Sequence, residues 1–148
     1  LEVLDSFQVT IPELGTIKAT SRPLVVLTSN GTRELSDALR RRCLFHYVEY
    51  PSFDKELQIV NARLPEVGPQ LARQLVAFVQ DLRRLDLRKK PGIAETLDWA
   101  AALLQLDVTT LDAEPDTIVD SMVCLLKTRE DRSGIDPVQV ERLVAGAL

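Results

Sequence analysis

From Phe53 to the last residue of this 148-residue chain, apolar side chains recur at helical spacing, and that pattern commits the larger part of the sequence to a helical bundle. Leu71, Leu75, Phe78, Val79, Leu82 and Leu85 trace one stripe. Ile93, Leu97, Ala100, Ala101 and Leu104 trace a second, and Ile118, Met122, Val123 and Leu126 a third. The punctuation agrees with the periodicity. Pro51-Ser52 opens the region, with Ser52 placed to cap the first helix. Pro115, after Asp112 and Glu114, marks a helix start, and Ser133-Gly134 breaks the chain before a last short helix over Pro137 to Ala147. Trp99 falls among the apolar positions and is expected in the core. No internal repeat or low-complexity tract interrupts the pattern.

Residues 1 to 51 follow a different rule. Phe7, Val9 and Ile11 alternate as in a half-buried strand. Leu24 to Leu27 form an apolar run that ends in Thr28-Ser29-Asn30, the pattern of a buried parallel strand delivering an amide to the carboxyl edge of a sheet, where α/β proteins bind ligands. A helix-like segment then runs into Arg40-Arg41-Arg42, and a second apolar strand is expected from Leu44 to Val48. The fold class expected is therefore a piece of an α/β core, residues 1–51, followed by an all-α helical domain, residues 52–148.

Composition narrows the function classes. The chain is 45% hydrophobic and 27% charged, which is globular, and 18 Lys and Arg against 22 Asp and Glu give a net charge of −4, with no general attraction to nucleic acid or anionic lipid. No apolar stretch reaches the roughly 18 residues of a membrane span, and no signal-peptide pattern opens the chain. Cys43 and Cys124 lie far apart without metal-like spacing, as in reduced thiols of a cytoplasmic protein. His46 alternates with apolar residues and has no ligand-spaced partner, and no Ser-His-Asp arrangement can be assembled.

The order of elements between Pro23 and Pro51 resembles the end of an AAA+ ATPase core: a sensor 1 strand, a helix ending in an arginine finger, and the last core strand. Within AAA+ proteins it is similar to the MoxR family, in particular the branch similar to CoxD, the accessory ATPase of carbon monoxide dehydrogenase maturation. Glu2 to Ile17 resemble a helix end and the β-hairpin that precedes sensor 1, and Leu87-Arg88-Lys89-Lys90-Pro91-Gly92-Ile93 resembles the sensor 2 segment opening a helix of the lid. The resemblance implies residues 1–51 as the C-terminal part of the core and 52–148 as the helical lid with a tail. It also implies a ring, in many relatives a hexamer, that couples ATP hydrolysis to remodelling or maturing a client protein, including metal-cofactor enzyme assembly. No Gly-x-x-x-x-Gly-Lys-Ser/Thr and no apolar strand ending in Asp-Glu occur, so ATP and Mg2+ are expected in a longer parent and not on this segment alone. The chain reads as starting mid-helix, as a C-terminal part would.

The resemblance assigns roles residue by residue. Asn30 would hold the attacking water or the γ-phosphate in cis, where a bare reading is a turn residue before Gly31. Arg42, then Arg41, would extend into the next subunit's ATP, where a bare reading is favourable charge at a helix C-terminus. Many MoxR proteins carry an arginine directly after the proline of the sensor 2 segment. Here Gly92 stands there, which leaves Arg88, Lys89 and Lys90 as the phosphate-facing candidates, or a solvated basic face together with Arg83 and Arg84. Glu95 would complement the dipole of its helix. The alternative function is a non-catalytic helical interaction or regulatory module without nucleotide. A nucleic-acid motor is disfavoured by the acidic balance and by the lack of aromatics among the basic residues.

Overall fold

In the computed structural model, which describes residues 2–30 and 34–148, the alternating stretch after Ser6 forms a β-hairpin. A single helical turn, α1 (Glu2–Asp5), leads into β1 (Gln8–Ile11), which pairs antiparallel with β2 (Gly15–Lys18) in the register Gln8 to Lys18 and Ile11 to Gly15. Pro12 sets the turn, Leu14 N–H closes it on the Ile11 carbonyl at 3.1 Å, and Gly15 takes the left-handed φ of 77° needed to re-enter the ladder. Phe7 also has positive φ, at 51°, a conformation that a bulky residue adopts only under constraint. The constraint is the hairpin base, where Ala19 N–H bonds the Phe7 carbonyl at 2.8 Å. A further turn of helix, α2 (Asp37–Arg40), follows.

Two expectations fail in this region. Leu24 to Leu27 and Leu44 to Val48 form neither strand nor helix, and their apolar side chains are exposed, Leu24 at 94% and Val48 at 81%. A buried parallel strand needs hydrogen-bonding neighbours and covered faces, and among the described residues the only ladder is β1 with β2. Gly31, Thr32 and Arg33, part of the expected Asn-Gly turn and arginine-finger helix, lie outside the described residues.

Residues 49–148 form a separate compact unit from residues 1–48. Its elements are α3 (Phe53–Arg63), α4 (Pro69–Leu82), α5 (Ile93–Gln105), α6 (Pro115–Ser121) running into a 3-10 turn (Met122–Cys124), α7 (Arg129–Gly134) and α8 (Pro137–Ala147). Helix α4 is central, packed by α3, α5 and α8, and its buried face carries Leu71, Leu75, Phe78, Val79 and Leu82. Trp99 is fully buried on α5, tilted 44° against Phe78 with ring centroids 4.8 Å apart, and its indole N–H donates to Ser121 Oγ at 2.8 Å. That bond removes the cost of burying the indole N–H unpaired. Ser52 caps α3 by accepting from Lys55 N–H, and Asp136 caps α8 by accepting from Gln139 N–H at 2.7 Å.

The stripes are adjusted in three places. Leu85 lies beyond the end of α4, partly buried in the turn that follows. The fully buried face of α5 is Thr96, Trp99, Ala100 and Leu103, one residue round from the expected stripe, because α5 is apolar over most of its surface and periodicity alone does not fix its rotation. Val123 is 48% exposed, since the tighter 3-10 turn rotates it out. Past the end of α5, Asp107 takes a left-handed φ of 57° that lets Val108 N–H reach the Leu103 carbonyl and Asp107 N–H the Leu104 carbonyl, a Schellman closure with Val108 buried behind it. The chain is thus mixed α/β, dominated by helices with one two-stranded sheet. No helix among the described residues is long and apolar enough to cross a membrane.

Candidate functional site

A charged residue on the apolar face of each of two successive helices organises one end of the helical unit. Glu56 lies between Phe53 and Val60 on α3, and Arg83 continues the α4 stripe four residues after Val79. Both are buried, Glu56 fully. Arg83 Nη1 donates to Glu56 Oε2 at 2.6 Å and Nη2 to Oε1 at 2.7 Å, the bidentate geometry that a planar guanidinium offers a carboxylate. Thr96 Oγ1 on α5 donates to Glu56 Oε1 at 2.9 Å, and Gln80 Nε2 to Oε2 at 2.7 Å. The third arm of Arg83, Nε, donates to the Pro91 carbonyl at 2.7 Å, and the Tyr50 ring lies 4.7 Å from the guanidinium carbon. Every polar edge of the buried pair has a partner, as burial of two charges requires.

That network fixes both ends of the basic loop between α4 and α5. Arg83 begins the loop and holds its last residue but one, Pro91. Gly92 N–H donates to Glu95 Oε2 at 2.9 Å, so Glu95 caps α5 as well as complementing its dipole. The middle of the loop is held from α7. Asp131 accepts Arg88 N–H on Oδ1 at 2.8 Å and Lys89 N–H on Oδ2 at 3.1 Å, while Thr128 Oγ1 donates to Oδ2 at 2.6 Å and accepts from Asp131 N–H at 3.1 Å. These bonds, the Thr128 hydroxyl foremost, hold the buried Asp131 carboxyl below its ordinary value against the opposing effect of burial; the two loop amides and the Arg88 charge add to it.

The sequence candidates divide between the two units. In residues 1–48, Asn30 is exposed in an irregular segment, Arg41 is the exposed C-cap of α2, and Arg42 donates to the Ala38 carbonyl at 2.9 Å and pairs with Asp5 at 3.2 Å. The helix C-terminus therefore engages Arg42, consistent with the simple charge-dipole role of such a residue. In residues 49–148, Arg88, Lys89 and Lys90 share the braced loop and are all exposed. Arg88 pairs with Glu130 at 3.1 Å, and the Lys90 carbonyl accepts from Tyr50 Oη at 3.4 Å. Among the described residues no ion pair engages Lys89 or Lys90. Arg83 does not belong to a solvated basic face as expected. It is the buried partner of Glu56, and the solvated residues are Arg84, Arg88, Lys89 and Lys90.

The Glu56 and Arg83 pair is the feature that reading the sequence missed. Its signal was present: opposite charges at positions where the helical stripes of α3 and α4 demand apolar side chains. His46 and Cys43 are exposed, Cys124 is half-buried, and both thiols are free. Among the described residues no group of acidic, thiol or imidazole side chains could hold a metal ion. No protein-family model matches the chain, and searches of curated proteins and of solved structures found no match either.

Proposed function

We propose that this chain is the C-terminal part of a MoxR-like AAA+ ATPase, with residues 49–148 as the helical lid and the loop at Arg88, Lys89 and Lys90 turned toward nucleotide phosphates. The observation that carries the reading is the bracing of that loop. Three successive exposed cations sit on a backbone held by Arg83 at one end, Asp131 in the middle and the α5 cap at the other. A point charge helps phosphoryl transfer only if it is already positioned, because the protein contributes electrostatics and little covalent chemistry. A larger parallel sheet with both faces covered would bury the apolar segments at 24–27 and 44–48 that are exposed in this chain.

In this reading Asn30 acts on the γ-phosphate within its own subunit and Arg42, with Arg41 next to it, on the ATP of the neighbour in a ring, in many relatives a hexamer. The cations suit a polyphosphate, whereas the described residues offer no carboxylate set for Mg2+. The parent's output is remodelling or maturation of a client protein, with metal-cofactor enzyme assembly one of the classes the resemblance includes.

The test is ATP turnover by the parent protein. Arg42→Ala should leave nucleotide binding intact and lower turnover by about 10³, the scale of an arginine finger. Asn30→Ala should lower turnover as well, and the 148-residue chain alone should show none. A parent that neither binds nor hydrolyses ATP would refute the reading and leave the helical interaction module in its place.

A further inference from the structure

We propose that Glu130 is an internal counter-ion that competes with polyphosphate for Arg88, so that the first turn of α7 controls how much of the basic loop is open to an anion. This rests on the reading of that loop as phosphate-facing. It is carried by the difference between the contacts that the two acidic residues of α7 make. Asp131 hydrogen-bonds the loop through its backbone, at the Arg88 and Lys89 amides, and feels the Arg88 charge only through space. Glu130, the residue before it, takes the Arg88 side chain itself at 3.1 Å. Both partners of that pair are well exposed, Arg88 at 71% and Glu130 at 62%, so the pair is weak and exchangeable. Lys89 and Lys90, beside it on the same loop, have no acidic partner among the described residues.

The arrangement has a definite consequence. An anion arriving at Lys89 and Lys90 gains Arg88 as a third, bidentate partner only by displacing Glu130. Asp131 holds the loop in place during that exchange, because its bonds run to the main chain and not to the charges being exchanged. The first turn of α7 thus contains one acidic residue that supports the site and one that opposes its occupant.

Inorganic tripolyphosphate is the probe, with binding to the 148-residue chain followed by calorimetry at low ionic strength, where exposed charges are least screened. Wild type should bind weakly, since the loop is only one part of the parent's phosphate site, and Lys89→Ala with Lys90→Ala should abolish that binding. Glu130→Gln should tighten binding roughly twofold to fivefold, the factor that an exposed ion pair is worth. In an Arg88→Ala background the same Glu130→Gln change should have no effect, since the competitor then has nothing to hold. Asp86→Asn, which removes one negative charge from the exposed side of the same loop, is the control for net charge.

Tighter binding by Glu130→Gln that persists without Arg88, or that Asp86→Asn reproduces, overturns the competition while leaving the phosphate-facing loop intact. Wild-type affinity in Glu130→Gln does the same. Absence of binding in wild type and every variant, or full binding after loss of both lysines, overturns the site together with its control.

Discussion

Replacing Arg83 by methionine keeps most of the stem volume and removes the guanidinium from a fully buried carboxylate. Glu56 then loses its two charged donors, at 2.6 and 2.7 Å, and keeps only the neutral donors Thr96 Oγ1 and Gln80 Nε2. The Pro91 carbonyl loses its donor at the same time. Breaking a buried pair by removing one partner costs about 3 to 5 kcal/mol, because the remaining charge is desolvated and unmatched. The neighbouring Arg84 is a built-in control: it pairs with Asp81 at 2.7 Å but is 79% exposed. Arg84→Met should cost no more than about 1 kcal/mol, the range of exposed pairs. Urea unfolding followed by the fluorescence of Trp99, the single tryptophan, reports the helical unit in which both pairs lie. Adding Glu56→Leu to Arg83→Met should recover most of the loss, since neither charge then remains buried. Equal effects of Arg83→Met and Arg84→Met, or no recovery in the double variant, would refute the assignment of burial as the cause.

Trp99→Ala should cost about 3 to 5 kcal/mol by thermal or urea unfolding, because a fully buried indole leaves a cavity and takes away the donor to Ser121 Oγ, which keeps only its own bond to the Ile118 carbonyl; a loss under about 1 kcal/mol would place the indole outside the core. Asp131→Asn should destabilise the helical unit by about 1 to 3 kcal/mol at neutral pH, the scale of hydrogen bonds to a charged group. The Asp131 pKa is lowered on folding, so its contribution is complete above the unfolded value near 3.9 and is lost as pH falls through the folded value. The stability gap between wild type and Asp131→Asn should therefore be full at pH 7 and narrow below about pH 4, whereas a constant gap in the pH titration of stability would remove the carboxylate from the role. Asp107→Gly should raise stability by about 0.5 kcal/mol, since glycine meets the left-handed C′ position without a Cβ clash; a fall in Tm would contradict the Schellman closure.

What the sequence made legible is what depends on neighbours a few residues away. The helices from Phe53 onward, the Ser52 cap, and the proline starts at Pro115 and Pro137 are all local patterns of period and cap; the alternation of Phe7, Val9 and Ile11 marks the strand of the hairpin, although Val9 is exposed and the expected half-buried face is not formed. Leu24–Leu27 and Leu44–Val48 have strand composition, but pairing is a property of the partner strand, and composition cannot supply one. The candidate site is legible only in part. In the basic run of Arg83, Arg84, Arg88, Lys89 and Lys90, Arg83 alone continues the apolar stripe of α4, four residues after Val79, but that its partner is Glu56, 27 residues earlier, comes only from the fold. Asp131 reaches the loop amides across more than 40 residues of chain, a contact that no spacing rule signals.

The central claim, a ring ATPase whose basic groups act on phosphates across a subunit boundary, is tested most directly by mixing subunits of the parent protein. Rings that combine Arg42→Ala subunits with subunits disabled at their own nucleotide-binding loop should recover ATP turnover wherever an intact site meets an intact Arg42, although each variant alone is inactive. Mixed rings that stay as inactive as either parent variant, or homogeneous Arg42→Ala rings that turn over ATP at the wild-type rate, would contradict the account.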